Sequence, residues 1–175
     1  METVQAVSPT PIRQQWACAH VPVRKSHTSS LAQVTGVVDV RAPADRTWDA
    51  LLDVEARVGE IRGLKEATVY LREPNRVAAQ WVVQVLTSQL RFSIVYDVDR
   101  SAGWCRYRLD PSRPNDLVSV EGAYQVLPVT GGTRVIYRSI TDTGRQVPDF
   151  VRNWLATTSL AAQLVGIRNR AEAPR

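Results

Sequence analysis

The stretch VDVRAPADRTWDALLDVE (residues 38–55) decides the architecture. Val38 and Val40 alternate with Asp39 and Arg41, and they continue a face begun by Val34, so residues 32–40 read as a half-buried strand. Ala42 and Pro43 turn the chain. Proline suits the first turn of a helix, where its missing N–H needs no partner. Trp48, Leu51 and Leu52 then fall at helical spacing. A strand that runs directly into a short one-sided helix puts that helix at the end of a sheet, where its apolar side can close the core. Residues 55–61 (EARVGEI) read as a second short helix, and RGLKE (62–66) leads the chain out of it.

Downstream the period changes to two. Strands are expected at 67–73, 76–86, 90–98, 103–110, 117–127 and 133–141, separated by the turn-forming stretches EPNR, DRSAG, DPSRPND and TGG. Strands joined by such short connections make an antiparallel meander. Residues 147–172 contain Pro148 near their start and no later proline, which predicts one long helix of roughly seven turns. Residues 1–30 carry Pro9, Pro11, Pro22 and the polar run RKSHTSS (24–30), and read as an N-terminal arm with one extended piece near 16–23. The folded domain is expected to span 31–173.

Alternation sorts each strand into two faces. The apolar sets are Val77, Ala79, Trp81, Val83 and Val85; then Leu90, Phe92, Ile94, Tyr96 and Val98; then Cys105, Tyr107 and Leu109. Val118, Val120, Tyr124 and Val126 follow, with Val135, Tyr137 and Ser139 in the last strand. The opposite face collects Arg91, Arg106, Arg108, Arg134 and Arg138 with Asp97 and Glu121, as expected of a sheet wetted on one side. At ~100° per residue the inner face of the long helix would be Val147, Val151, Trp154, Leu155, Thr158, Ala161, Ala162 and Val165. Large residues at its start and small ones in its middle suit a space between helix and sheet.

Composition narrows the function classes. The chain has 175 residues, enough for one domain with a sizeable core. Its formal charge of +5 comes from basic residues scattered among acidic ones, which argues for a solvated surface and against a nucleic-acid partner. The two cysteines, Cys18 and Cys105, form no CxxC or Cys/His cluster, so no structural metal is expected. No apolar run approaches the ~18 residues of a membrane span. A cytoplasmic protein with free thiols and no cofactor is the expectation. Both histidines, His20 and His27, precede the regular part of the chain, and no glycine-rich phosphate loop occurs. The expected interior therefore lacks an evident acid–base pair.

The order strand, two short helices, antiparallel meander and long C-terminal helix, together with VRAPADRTWDALLDVE (40–55), EGAY (121–124), GGTRVIY (131–137) and VPDFV (147–151), resembles the START-like (SRPBCC) superfamily. Members include birch-pollen-allergen proteins, polyketide cyclases and coenzyme Q-binding proteins. One departure is Tyr124, where the polyketide cyclase and lipid-transport branch more often has tryptophan. The resemblance implies an α+β helix-grip fold: a curved antiparallel sheet wrapped around the long helix, with a ligand cavity between them. It also implies a hydrophobic ligand (a lipid, isoprenoid quinone or polyketide) that the protein carries or senses.

The expected lining is Trp81, Phe92, Ile94 and Tyr96; Cys105, Tyr107, Val120, Tyr124 and Tyr137; and Trp154, Thr158, Ala161 and Ala162 from the helix. The alternative is a polyketide aromatase/cyclase, with Tyr107, Tyr124 and Tyr137 assisting proton transfer, and Arg106 too if the faces of its strand are inverted. A third class, an accessory protein of the ribosome or respiratory chain, ranks behind both.

Overall fold

The computed structural model describes residues 24–28, 31–144 and 149–174, with side-chain surroundings from 32 to 144 and from 161 onward. Among the described residues the strands are β1 (Arg24–Thr28), β2 (Leu31–Val40), β3 (Leu64–Glu73), β4 (Arg76–Val85), β5 (Ser88–Asp99), β6 (Trp104–Leu109), β7 (Ser119–Val129) and β8 (Gly132–Asp142). The helices are α1 (Ala44–Leu52) and α2 (Asp149–Glu172), with a single 3₁₀ turn at Glu55–Arg57. All strand pairs are antiparallel, in the order β1-β2-β8-β7-β6-β5-β4-β3. β3 to β8 form the expected meander, and β2 joins β8 with Val40 opposite Thr133, so α1 leaves the sheet beside the β7–β8 turn. Arg100, in the β5–β6 turn, reaches Asp49 of α1 at 3.2 Å. The helix therefore closes that end of the sheet, and it does so with Trp48, Leu51 and Leu52 buried.

The inner faces follow the alternation in β4, β5, β6 and β8. Their apolar residues join β2 and α1 in one core cluster. Val118 is an exception: it precedes β7 and is 66 % exposed. The second helix is also shorter than its pattern. After Arg57 the chain turns through Gly59 at φ +90°, a conformation that favours glycine, and a bridge between Val58 and Ile61 replaces further helical turns. The strand β1 covers five residues of the polar run assigned to the arm, at one edge of the sheet. The extended piece near 16–23 lies outside the described residues.

The helix α2 runs against β2 and α1. Among its described side chains, Leu164, Ile167 and Ala171 are the deepest, whereas Ala161, Ala162 and Val165 are half-buried. The buried seam is thus turned about one position from the expected face, toward α1 and β2. Its C-terminal end is tied down: Arg170 pairs with Glu60 and donates to the Ala50 carbonyl at 2.9 Å, and the Arg41 amide donates to Glu172 Oε1 at 2.7 Å. Gly166 leaves the room that the Glu60 carboxylate occupies.

The outer face is not uniformly wet. Ala78, Val82, Ser93 and Val95 point away from the main core and are nonetheless buried. Tyr70 of β3 reaches across β4 and β5 to donate to Asp110 Oδ2 at 2.7 Å, and the Arg113 guanidinium stacks on its ring at 3.7 Å. Residues 110–116 also continue the ladder on β5 beyond the end of β6. Asp110 N donates to Ser93 O at 2.9 Å, Ser93 N donates to Asn115 Oδ1 at 2.7 Å, and Asp116 N donates to Arg91 O at 2.9 Å. Elsewhere on this face cross-strand ion pairs occur: Arg134 holds Asp39 through two hydrogen bonds, and Asp97 accepts from Arg76 and Arg108.

Candidate functional site

Four tyrosines cross the middle of the inner face on adjacent strands: Tyr96 on β5, Tyr107 on β6, Tyr124 on β7 and Tyr137 on β8. Tyr96 pairs directly with Tyr107, and Tyr124 with Tyr137. Ring centroids are 4.7 Å apart for Tyr124 and Tyr137, and 5.7 to 5.9 Å apart for Tyr107 and each of the other three. Glycine makes this spacing possible. Tyr107 faces Gly122 across β6 and β7, and a Cβ at Gly122 would collide with the Tyr107 phenol and the Arg138 carbonyl oxygen. An aromatic ring covering a cross-strand glycine is a recurrent device for stabilising a sheet, and it accounts for the glycine of EGAY. The Tyr107 hydroxyl donates to that of Tyr137 at 2.7 Å.

Above this row sits a residue the sequence did not single out. Arg57, the last residue of the 3₁₀ turn, is only 1 % exposed. Its Nη2 donates to the Leu51 carbonyl at 2.5 Å, and its Nη1 donates to Gln163 Oε1 of α2 at 3.3 Å. Tyr124 donates to the same Gln163 oxygen at 2.7 Å, so one amide joins helix, sheet and connector. The guanidinium carbon lies 5.6 Å from the Trp81 ring, 5.9 Å from Tyr96 and 6.0 Å from Tyr124. Among the described residues no carboxylate pairs with it. Two buried donors at this place have no acceptor: Arg57 Nε and Trp81 Nε1.

The electrostatics follow from burial. Desolvation works against the Arg57 charge, and its pKa stands above the ordinary arginine value only through the negative charge that Tyr124, Tyr96, Cys105 and Tyr137 carry once ionised, which they do not carry near neutral pH. Burial raises all four phenols, most strongly Tyr107 and Tyr124, and pushes the Cys105 thiol up to about 12. Near neutral pH the site therefore holds one permanent cation among neutral hydroxyls and a neutral thiol. It can donate hydrogen bonds and stabilise a negatively charged oxygen. The described inner face carries no carboxylate or imidazole to act as an ordinary base.

Trp81, Phe92, Ile94, Tyr96, Cys105, Tyr107, Val120, Tyr124 and Tyr137 are all buried in the main cluster, with Trp81 stacked on Phe92 at 6.3 Å. Ala162 packs against that cluster from α2. Ala161 is half-buried, and the side chains of Trp154 and Thr158 lie outside the described ones. Arg106 stands on the outer face, 5.9 Å from Trp104, so the faces of β6 are not inverted and Arg106 does not reach the tyrosines. Arg57 and Gln163 escaped the sequence reading because neither belongs to a periodic pattern: one is a lone arginine in a polar turn, the other a single amide beside two alanines.

This arrangement is a helix-grip fold, a curved antiparallel sheet with a long C-terminal helix. No family model matches the chain, and no curated protein matches its sequence. Solved structures do match. The STAR-related lipid transfer protein of Xanthomonas axonopodis is similar at a TM-score of 0.73 and 16 % identity, covering 87 % of this chain and 93 % of its own. The protein TTHA0849 of Thermus thermophilus is similar at 0.69 and 20 %, covering 79 % and 96 %. The Zhui aromatase/cyclase of Streptomyces sp. R1128 is similar at 0.66 and 18 %, covering 81 % and 94 %. Among the described residues no helix is long and apolar enough to cross a membrane, and no cluster of His, Cys, Asp or Glu is arranged to hold a metal ion.

Proposed function

We propose that the protein binds a hydrophobic small molecule between the sheet and α2, as a carrier or sensor, with the polar end of the ligand at Arg57. The observation that carries this reading is the pair of buried, unpaired donors, Arg57 Nε and Trp81 Nε1, beside a cation with no carboxylate partner among the described residues. Buried polar groups are almost always satisfied, so an acceptor brought by a ligand is the economical completion. Aromatic and aliphatic walls with a few oriented polar groups are the usual make-up of a small-molecule site. The lipid, isoprenoid quinone and polyketide classes all combine an apolar body with oxygen acceptors. Native mass spectrometry of protein purified from its own host, with lipid extraction of the same sample, tests the reading. A bound apolar species supports it, and protein that carries none and fails to bind an apolar fluorescent probe refutes it.

A second reading, an aromatase/cyclase, is favoured by the hydroxyl row beside the cation. Arg57 would stabilise the enolate of a poly-β-carbonyl chain as its carbon attacks a carbonyl of the same chain. A phenol would protonate the new alkoxide and be reprotonated by the solvent water that took up the C–H proton when the enolate formed, so the aldol step balances. Replacing Tyr107, Tyr124 and Tyr137 together by phenylalanine should then abolish turnover, and unchanged turnover would sink this assignment.

A further inference from the structure

We infer that the ligand is a monoanion, a hydrophobic carboxylate, and that Arg57 and Trp81 together select it over the neutral alcohol, ester or quinone of the same body. This rests on the proposed binding reading and narrows it. The donors around the ligand end are unbalanced. A guanidinium has five N–H donors and no acceptor. Among the described residues Arg57 donates to Leu51 O and Gln163 Oε1, and its Nε has no partner. The indole N–H of Trp81, a pure donor, is likewise buried and unpaired. A group that only accepts matches Arg57 Nε and Trp81 Nε1, whereas a hydroxyl adds a proton that neither of these two donors can take. A guanidinium also offers the fork that takes both oxygens of a carboxylate at once.

The charge count gives the same answer. Arg57, 1 % exposed, is the one buried cation among the described residues, and the other buried charged side chain, Asp110, lies on the outer face with Tyr70. Its nearest acidic groups are phenols and a thiol whose burial keeps them protonated near neutral pH. An unpaired buried charge is costly and an opposite charge relieves it. One cation calls for one negative charge, which a carboxylate supplies and a phosphate dianion exceeds.

The test uses the full chain at pH 8, with N-phenyl-1-naphthylamine as a neutral reporter. Two matched pairs displace it: dodecanoate against dodecan-1-ol, and 2-naphthoate against 2-naphthylmethanol. The pairs separate a fatty chain from an aromatic body while keeping the head-group comparison. In the wild type, the better-fitting acid should compete at about tenfold lower concentration than its alcohol, or less, as expected when a charge-assisted hydrogen bond is gained. Arg57→Gln should bring acid and alcohol within about twofold of each other. Trp81→Phe, which keeps an aromatic ring and deletes the N–H, should narrow the gap part of the way. If Arg57→Gln does not fold, the wild-type comparison and Trp81→Phe still decide. Alcohols that compete as well as acids in both pairs, or a preference untouched in both variants, overturn the inference and leave hydrophobic binding standing. A reporter that binds nowhere, with no competition by any of the four, overturns both.

Discussion

Replacing Arg57 by methionine separates a binding group from a structural strut. The losses can be bounded from the structure. The hydrogen bond to the Leu51 carbonyl goes, and a bond to a charged donor is worth about 1.5–3 kcal/mol. The bond to Gln163 is long, at 3.3 Å, and Gln163 keeps its partner Tyr124, so little is lost there. Ring contacts at 5.6 to 6.0 Å sit at the edge of the useful cation–π range and add about 1 kcal/mol.

Against these stands the burial of a guanidinium without a carboxylate, a penalty of several kcal/mol even after relaxation. Methionine fills a comparable volume and adapts to an irregular space. The balance predicts a ligand-free variant as stable as the wild type, or up to about 2 kcal/mol more stable, with ligand binding lost. Urea titration by far-ultraviolet circular dichroism, with the slope checked against wild type, reads the stability. A loss above about 3 kcal/mol would show that Arg57 holds the fold together, and would refute the view that it is retained for a ligand.

Gly122→Ala should cost at least about 2 kcal/mol, because the added methyl meets both the Tyr107 phenol and the Arg138 carbonyl and the β7–β8 ladder must part; thermal melting checks this. Trp48→Ala should cost about 3–5 kcal/mol in denaturant titration, since the indole is 2 % exposed at the closed end of the sheet. All five tyrosines of the chain have raised pKa values in the fold, Tyr70 at about 12. The unfolded chain loses these protons near pH 10 and the native one later, so stability is complete below about pH 10 and falls as pH rises toward the folded values. Tyrosinate absorbance should therefore appear together with loss of the fold rather than ahead of it. Ala162→Leu should leave the melting temperature near that of wild type while weakening probe binding, and a large drop in melting temperature would mean a packed core there.

The strand faces were legible because alternation is local: a residue and its second neighbour share a side whatever the rest of the chain does. Trp81, Tyr96, Tyr107, Tyr124 and Tyr137 could thus be placed inside from their own strands. Where a partner decides, the pattern failed. In the described half of α2 the buried side chains are Leu164, Ile167 and Ala171, because α1 and β2 supply the surface it meets, which no helical period contains. Ser93 looks like a solvent-facing position until residues 110–116 fold beside it, and Val82 and Val95 are buried on the same side. β1 has the polar composition common in edge strands, so its pairing is set by β2 and not by its own residues. Arg57 is the extreme case: a charged residue in a turn reads as surface, and only the geometry of the closed end turns it inward.

The position of Arg57 on a connector separates two tasks that share the same interior. The sheet fixes the aromatic wall through paired registers that run across β5 to β8, and any change there disturbs several neighbours. The charged group enters from a one-turn segment anchored to the wall of the site through the Leu51 carbonyl and the Gln163 amide. Substitutions in residues 55–61 can therefore remove, replace or reposition the charge without altering a single strand register. A lineage built on this scaffold can exchange one ligand chemistry for another within one short connecting segment, and the row of tyrosines it leaves behind still folds.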